Sequence, residues 1–263
     1  MYVLKSRREI EMMRRAGQVA CQVLARMREV AVAGVTTAEI DAVAKEEMLR
    51  AGAVSGSRNY PTYEEGKGFP GYTCLSVNEE IVHGIPGKRV LREGDVVSLD
   101  VALSLNGYCA DTCATVPIGK VSPLSQKLLD VTKSTLSMAI ENVRPGRRWS
   151  EIARMIQRTV EQAGFSVVRE FVGHGIGRSM HEDPKVPNFV TGEGLRGDFE
   201  LRPGMTLAVE PMVVAGKRDV RALKDQWTMV TADGKPAAHF EHTVAVTDHG
   251  VDVLTDGRQA FTL

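Results

Sequence analysis

The strongest constraint on this chain is that it repeats itself once. Gly34, followed five residues later by Glu39-Ile40 and closing at Ala51-Gly52, matches Gly146, Glu151-Ile152 and Ala163-Gly164 at a constant offset of 112. Farther on, Leu91-Arg92-Glu93-Gly94 leads into an apolar run ending Leu99-Asp100-Val101. Leu201-Arg202-Pro203-Gly204 leads into one ending Val209-Glu210-Pro211, at an offset of 110. A period this long is far above that of solenoid repeats, so each copy is half of a fold rather than a stacking unit. Both halves have one plan: a helix, a glycine-containing turn, a second helix closed by Ala-Gly, then strands and hairpins. No linker-like or low-complexity stretch divides them, so residues 1–263 read as a single domain with internal two-fold pseudo-symmetry, its halves about 6–120 and 123–260. A site on the pseudo-axis then collects acids from both halves, and Asp100 and Glu210 are equivalents.

Within that frame, Ile10, Met13, Ala16, Gly17, Ala20, Cys21 and Leu24 recur at helical spacing, and Thr37-Ala38-Glu39-Ile40 opens the next helix. The second half has Leu128 to Val143 and then Ser150 to Ala163, with Ser150 as the expected N-cap. Val96 to Leu103 is a strand by its β-branched and aliphatic content, and Asn106-Gly107 signals a two-residue type I′ hairpin turn. A regular turn sets Leu105 opposite Tyr108, Ala102 opposite Asp111 and Asp100 opposite Cys113. Asp100 and Asp111 then share a face as diagonal neighbours, ~7–8 Å apart at the backbone. Such carboxylates repel unless a cation lies between them. The plain alternative is one surface Asp beside one turn-proximal Asp, but apolar surroundings weigh against it because unpaired buried charge is costly.

Glu210 sits in the apolar run Met205 to Val213, and Glu241 in His239 to Val246, after the Asp233-Gly234 turn. Taken alone, either reads as a structural salt-bridge member as readily as a ligand. His174 lies in Phe171-Val172-Gly173-His174-Gly175-Ile176-Gly177, where glycines permit tight turns and close backbone approach. His181 follows, and the first half has its own turn, His83-Gly84-Ile85-Pro86. Together Asp100, Asp111, His174, Glu210 and Glu241 make an oxygen-rich set suited to a pair of Mn²⁺, Fe²⁺, Co²⁺ or Zn²⁺ ions, unlike the thiolates of structural zinc. Four acids balance two dications. Metals ~3.5–4 Å apart lower the pKa of a shared water and polarise a carbonyl, which is peptide-hydrolysis chemistry. Two neighbours stay open. Cys113, opposite Asp100, is a potential thiolate ligand unless a β-bulge moves it away. His239 shares a face with Glu241, either as its outer neighbour or as a solvated side chain.

Bulk electrostatics add exclusions. With 33 basic and 33 acidic residues the formal net charge is zero, so nothing draws the chain to nucleic acid or an anionic membrane. No apolar stretch approaches the ~20 residues of a membrane span. Cys21, Cys74, Cys109 and Cys113 form neither a disulfide framework nor a CxxC pair, which fits reduced thiols in a cytoplasm.

The quoted turns belong to longer motifs: Ser76-Val77-Asn78-Glu79-Glu80-Ile81-Val82-His83-Gly84-Ile85-Pro86, Gly173-His174-Gly175-Ile176-Gly177-Arg178, His181-Glu182-Asp183-Pro184, Glu210-Pro211 and Phe240-Glu241-His242-Thr243. With the Asp100 and Asp111 pair, they make the chain resemble the bacterial-type, type I methionine aminopeptidases from about Ser6 to Leu254. The resemblance implies an α+β pita-bread fold, a curved antiparallel sheet flanked by two pseudo-symmetric helix pairs. It implies removal of the initiator methionine from nascent polypeptide N-termini when the second residue is small, with transient ribosome contact by a cytoplasmic monomer. It also implies that the five ligands hold two divalent ions, with Asp111 and Glu241 bridging and Glu210 as proton shuttle. His83 and His181 match the family's substrate-contacting histidines, while Cys74, Phe69 and Trp227 match its methionine pocket, with Met180 nearby. An aromatic residue often found three positions before Phe69 is Gly66 here, and Tyr63 is a possible substitute. Xaa-Pro aminopeptidase and prolidase share the fold but usually have a large amino-terminal domain, for which there is no room before the helix at Ser6. Only 59 residues separate His181 from Glu241, too few for the helical insertion of the type II branch.

Overall fold

A computed structural model of the chain describes residues 2–61, 68–192 and 194–257. Among these residues four helices form: α1 (Arg7–Val30), α2 (Thr37–Arg50), α3 (Pro123–Glu141) and α4 (Trp149–Gln162). Ser6 and Thr36 start α1 and α2 through capping boxes with Glu9 and Glu39, which satisfy backbone donors that a helix start leaves free. On α1 the buried residues Met13, Ala16, Gly17, Ala20, Val23, Leu24 and Met27 follow the 3.6-residue period and face the sheet. Gly17 is needed there because a Cβ would collide with the Leu254 carbonyl. The expected cap of α4 is corrected. Arg148 is the N-cap and has no side-chain cap bond. Asp198 does that work from across the chain, accepting from Ser150 N at 3.0 Å, Ser150 Oγ at 2.8 Å and Arg148 Nε at 2.7 Å. A tertiary partner of this kind has no local signature.

The strands are β1 (Val54–Ser55), β2 (Cys74–Val77), β3 (Glu80–Val82), β4 (Val96–Leu105), β5 (Tyr108–Pro117), β6 (Ser166–Val167) and β7 (Gly173–Gly175). They continue as β8 (Glu182–Val186), β9 (Thr206–Val209), β10 (Met212–Val214), β11 (Val220–Ala222), β12 (Met229–Thr231), β13 (Ala237–Thr247) and β14 (Gly250–Val253). The main sheet runs β1-β4-β5-β13-β9-β7-β8, with β2 on β4, β10 and β14 on β13, and β6 on β10; β11-β12-β3 form a smaller sheet. Every pairing within these sheets is antiparallel. The β4–β5 hairpin turns on Asn106 (φ 51°) and Gly107 (φ 78°), both in the left-handed region that a type I′ turn requires.

The repeat is visible in hydrogen bonds. Gly34 N donates to Leu91 O and Gly146 N to Leu201 O, each at 2.8 Å. Leu91 N to Val35 O and Leu201 N to Arg147 O are likewise 2.8 Å. Thr37 N to Arg89 O and Trp149 N to Phe199 O are both 2.9 Å. In each half, the turn before the second helix is tied to the loop before the strand that bears Asp100 or leads into Glu210. One apolar core runs beneath both halves, including Leu99, Val101, Leu103, Ala114, Leu207, Val209, Phe240 and Val244 together with residues of all four helices. These strand residues alternate with Asp100, Asp111, Glu210 and Glu241, so one sheet face is buried on the helices and the other holds the acids. Each Leu or Val sealed in this way contributes about 1.5–3 kcal/mol, which fixes register because a one-residue slip would exchange the two faces.

Candidate active site

Strand register builds the site as rows across the acid-bearing face. Cys74 pairs with Asp100, Asp100 with Cys113, and Cys113 with Glu241. The pairings Val209 with His242 and Met212 with His239 bracket Glu210 and place it across from Glu241. The next row is Ala102, Asp111, Thr243, Ala208 and His174. A third row is Ser76, Ser98, Thr115, His239 and Met212. Two adjacent rows therefore contain all five proposed ligands, drawn from β4, β5, β7, the β9–β10 junction and β13.

Between β5 and β13, two threonine hydroxyls complete the ladder. Asp111 N donates to Thr243 Oγ1 at 3.0 Å, and Thr243 Oγ1 donates to Asp111 O at 2.8 Å. On the other side of the Cys113–Glu241 pair, His239 N donates to Thr115 Oγ1 at 2.8 Å, and Thr115 Oγ1 donates to His239 O at 2.9 Å. These mirrored clamps fix the strand positions of Asp111 and Glu241. The apolar run around Glu210 is not one continuous strand as expected. It breaks at Glu210-Pro211 between β9 and β10, because proline has no N–H for the ladder. The freed Glu210 carbonyl accepts from buried Asn188 Nδ2 at 2.9 Å. His174 enters through β7, whose glycines are required by close contact with the carbonyls of Ala208 and Asp183. Its Nδ1 donates to Gly175 O at 2.9 Å, which directs the Nε2 lone pair inward.

Asp111, His174 and Glu241 present ligand atoms within 4.8 Å of one another. His174 Nε2 lies 3.6 Å from Glu210 Oε1 and 3.8 Å from Asp111 Oδ2. Asp111 Oδ1 and Glu241 Oε1 are buried with no hydrogen-bond partner among the described residues. Burial, then the charges of Asp100 and Glu210, pushes the Asp111 carboxyl well above its usual range. Burial, then Asp111, Glu210 and Asp100, does the same to Glu241. Burial, partly offset by His239, raises Asp100 to about 6. For Glu210, burial raises the carboxyl, but His239, His174 and His83 outweigh it and leave the net value lowered. Clustered carboxylates of this kind either take up protons or surround cations, and the ionised set of oxygens with one imidazole fits divalent metal.

The remaining predicted residues line two adjoining cavities of about 290 and 270 Å³. His83, Asp100, Asp111 and His181 border both; Glu210, His174 and Glu241 border only the second. Cys74, Phe69, Trp227 and Met180 border the first, and Phe69 and Trp227 meet edge-on at 5.2 Å. His83 adopts φ 59°, an uncommon backbone for a non-glycine residue, and its ring is braced edge-on by Phe171 at 5.4 Å. Burial lowers its pKa. His181 packs against His174 with ring centroids 4.3 Å apart; burial and the neighbouring His174 push it down to about 4. The loop before His181 is secured by Glu182, which accepts from Arg178 N at 3.0 Å and Ser179 N at 3.2 Å and binds Lys5 Nζ at 2.5 Å.

The fold places the neighbours that the sequence left open. The β4–β5 register is regular throughout, so no bulge displaces Cys113; its thiol instead donates to His239 O at 3.5 Å. His239 is not solvated but buried, with Nε2 3.4 Å from Glu210 Oε2, too long for a well-formed hydrogen bond yet inside the ion-pair range. Gly66 and Tyr63 lie outside the described residues. Tyr60 also lines the first cavity, a residue that the sequence motifs did not single out. Tyr60 and Phe69 are joined through Phe69 N to Tyr60 O at 3.0 Å. This backbone pairing sets Tyr60 beside Phe69 although the two are nine positions apart, so distance along the chain is a poor guide there. The usable signal was an aromatic residue shortly after the strand at Ser55.

Fold and site together define a metallopeptidase. The chain belongs to metallopeptidase family M24, which it matches over residues 11–248, and within it to the methionine aminopeptidases. It is 45% identical to methionine aminopeptidase 1 of Bacillus subtilis, covering 97% of this chain and 99% of that one. It is 39% identical to methionine aminopeptidase of Escherichia coli K12, covering 96% and 93%. The crystal structure of methionine aminopeptidase from Thermotoga maritima superposes with a TM-score of 0.90 at 40% identity, covering 97% and 99%. Prolidase from Pyrococcus furiosus, at 19% identity and TM-score 0.76 over 98% of this chain and 66% of that one, shares the pita-bread fold alone.

Proposed function

We propose that this chain removes the initiator methionine from nascent polypeptides whose second residue is small, using two divalent ions of cobalt, manganese, iron or zinc held by Asp100, Asp111, His174, Glu210 and Glu241. The observation that supports this most is the pair of ligand rows, in which buried carboxylate oxygens of Asp111 and Glu241 have no hydrogen-bond partner among the described residues. Asp111 and Glu241, whose ligand atoms lie within 4.8 Å of each other and of His174, would be the carboxylates able to serve both ions. Bound there, the ions supply Lewis acidity and lower the pKa of a water molecule. Glu210 takes the proton released by that water and passes it to the leaving amine nitrogen. His181 donates to the scissile carbonyl oxygen as negative charge develops on it, and His83 donates near the leaving-group nitrogen. Phe69, Trp227 and Cys74 enclose the methionine side chain, and Met180 adds a polarizable contact.

The whole of residues 1–263 acts as one catalytic domain, with pseudo-repeat halves of about 6–120 and 123–260. It works as a cytoplasmic monomer in transient contact with the ribosome and has no nucleic-acid-specific site. No helix among the described residues is long and apolar enough to cross a membrane.

The test is hydrolysis of Met-Ala-Ser and Ala-Pro-Ala by protein stripped of metal and then reloaded. We expect the stripped protein to be inert and Mn²⁺ or Co²⁺ to restore cleavage of Met-Ala-Ser. Activity indifferent to chelator would overturn the metal assignment, and faster cleavage of Ala-Pro-Ala would overturn the substrate assignment.

A further inference from the structure

Tyr60 belongs to none of the motifs that bear the proposed chemistry, yet it touches both parts of the site. Its ring borders the methionine-side cavity beside Phe69. Its hydroxyl lies 3.0 Å from His181 Nδ1, and the two rings meet edge-on with centroids 5.4 Å apart and an interplanar angle of 74°. The backbone holds it in place. Tyr60 N donates to Ser57 O at 2.9 Å, Phe69 N donates to Tyr60 O at 3.0 Å, and Asn59 N donates to Phe69 O at 2.9 Å. The His181 ring is thus held between Tyr60 on one side and His174 on another.

We propose that Tyr60 is a positioning residue for His181: its hydroxyl donates to Nδ1, keeping the ring proton on Nε2 and aiming that N–H at the substrate carbonyl. The proposal rests on the reading that His181 contacts the scissile peptide. Its physical basis is the imidazole inventory. A neutral ring has one N–H and one acceptor nitrogen, and whichever nitrogen accepts a hydrogen bond leaves the other to donate. Without the phenol, both tautomers and both ring flips become accessible, and only one of them presents a donor. The same ring is a wall of the methionine cavity, so side-chain recognition and the orientation of His181 share one residue.

The test uses Tyr60→Phe, which keeps the aromatic wall and removes only the hydroxyl. Loss of one orienting hydrogen bond lowers kcat on Met-Ala-Ser about tenfold, with KM within about twofold of wild type. Tyr60→Leu should raise KM as well, because it also removes the wall. Independently of turnover, ¹⁵N spectra of the zinc-loaded full chain report the tautomer; His181 is assigned by its loss in His181→Ala. In wild type, Nε2 is the protonated nitrogen. In Tyr60→Phe, both nitrogens move toward averaged positions. Unchanged ring signals in Tyr60→Phe overturn the proposal whatever the kinetics. Shifted signals with unchanged kcat also overturn it, and the His181→Ala rate shows where it failed. A slow His181→Ala enzyme means that His181 acts without Tyr60; an unimpaired one means that the catalytic reading of His181 was itself at fault.

Discussion

Replacing Thr243 by Val isolates one of the clamps that hold the ligand strands. In the β4–β5 hairpin, Leu105 and Tyr108 close the turn, so hydrogen-bonded and non-hydrogen-bonded pairs alternate from there, and Ala102–Asp111 is a non-hydrogen-bonded pair. The Asp111 N–H and C=O therefore point away from β4 and toward β13, where Thr243 Oγ1 meets both, at 3.0 and 2.8 Å. Valine has nearly the same shape, so the fully buried site acquires no cavity. It does leave two buried backbone groups without partners, each costing about 1–3 kcal/mol, for a total of roughly 2–6 kcal/mol. Serine keeps the hydroxyl and loses one methyl group, worth about 1 kcal/mol. Urea unfolding of the metal-free protein should therefore rank the wild type above Thr243→Ser, with Thr243→Val well below both. Isothermal titration with Mn²⁺ should show weaker binding for the Val variant, because the Asp111 backbone has lost its anchor. A Val variant destabilised by less than about 1 kcal/mol, or a Ser variant no better than Val, would refute the clamp argument.

The buried acids also make metal-free stability depend on pH. Asp100 is raised by burial to about 6 from 3.8, and burial and neighbouring charge raise Asp111 and Glu241 further. The folded state thus holds more protons on these groups than the unfolded chain. The stability they contribute is present below about pH 4 and lost as pH rises through 6 and beyond, with lowered Glu210 acting in the opposite sense. Measured as the difference between wild type and Asp111→Asn, metal-free unfolding should favour the wild type increasingly as pH falls from 7 to 5; a pH-independent difference would contradict this. His239→Leu removes one of the groups that hold the Glu210 carboxyl down, so ¹³C titration of the metal-free protein should place Glu210 higher than in wild type. An unmoved Glu210 would mean that the 3.4 Å contact has no electrostatic weight.

Much of this molecule follows from local chemistry. The repeat appears as matched glycines and apolar runs because each half solves the same packing problem, and the paired turn hydrogen bonds show the two solutions side by side. The Asp100–Asp111 relationship was readable because an Asn-Gly turn fixes register and a period of two fixes face. The acids were conspicuous because charge inside apolar strands requires a partner. Other features depend on residues that meet only after folding. Asp198 caps α4 from 48 residues away, and no local pattern announces it. Tyr60 reaches the pocket because Phe69 pairs with its backbone from nine positions away in the chain. Burial of His239 is decided by the strands on either side of it, since the same sequence in an edge strand would be solvated.

The sequence by itself determined the hairpin register and the two-half plan and singled out the proposed ligands, all of which depend on side-chain period and turn geometry over a few residues. Only the tertiary structure decided that the five proposed ligands occupy two adjacent rows, that Thr115 and Thr243 tie β5 to β13 across those rows, and that Tyr60 meets His181. Those are distances between strands and loops far apart in the chain, set by packing of the shared core rather than by any local preference.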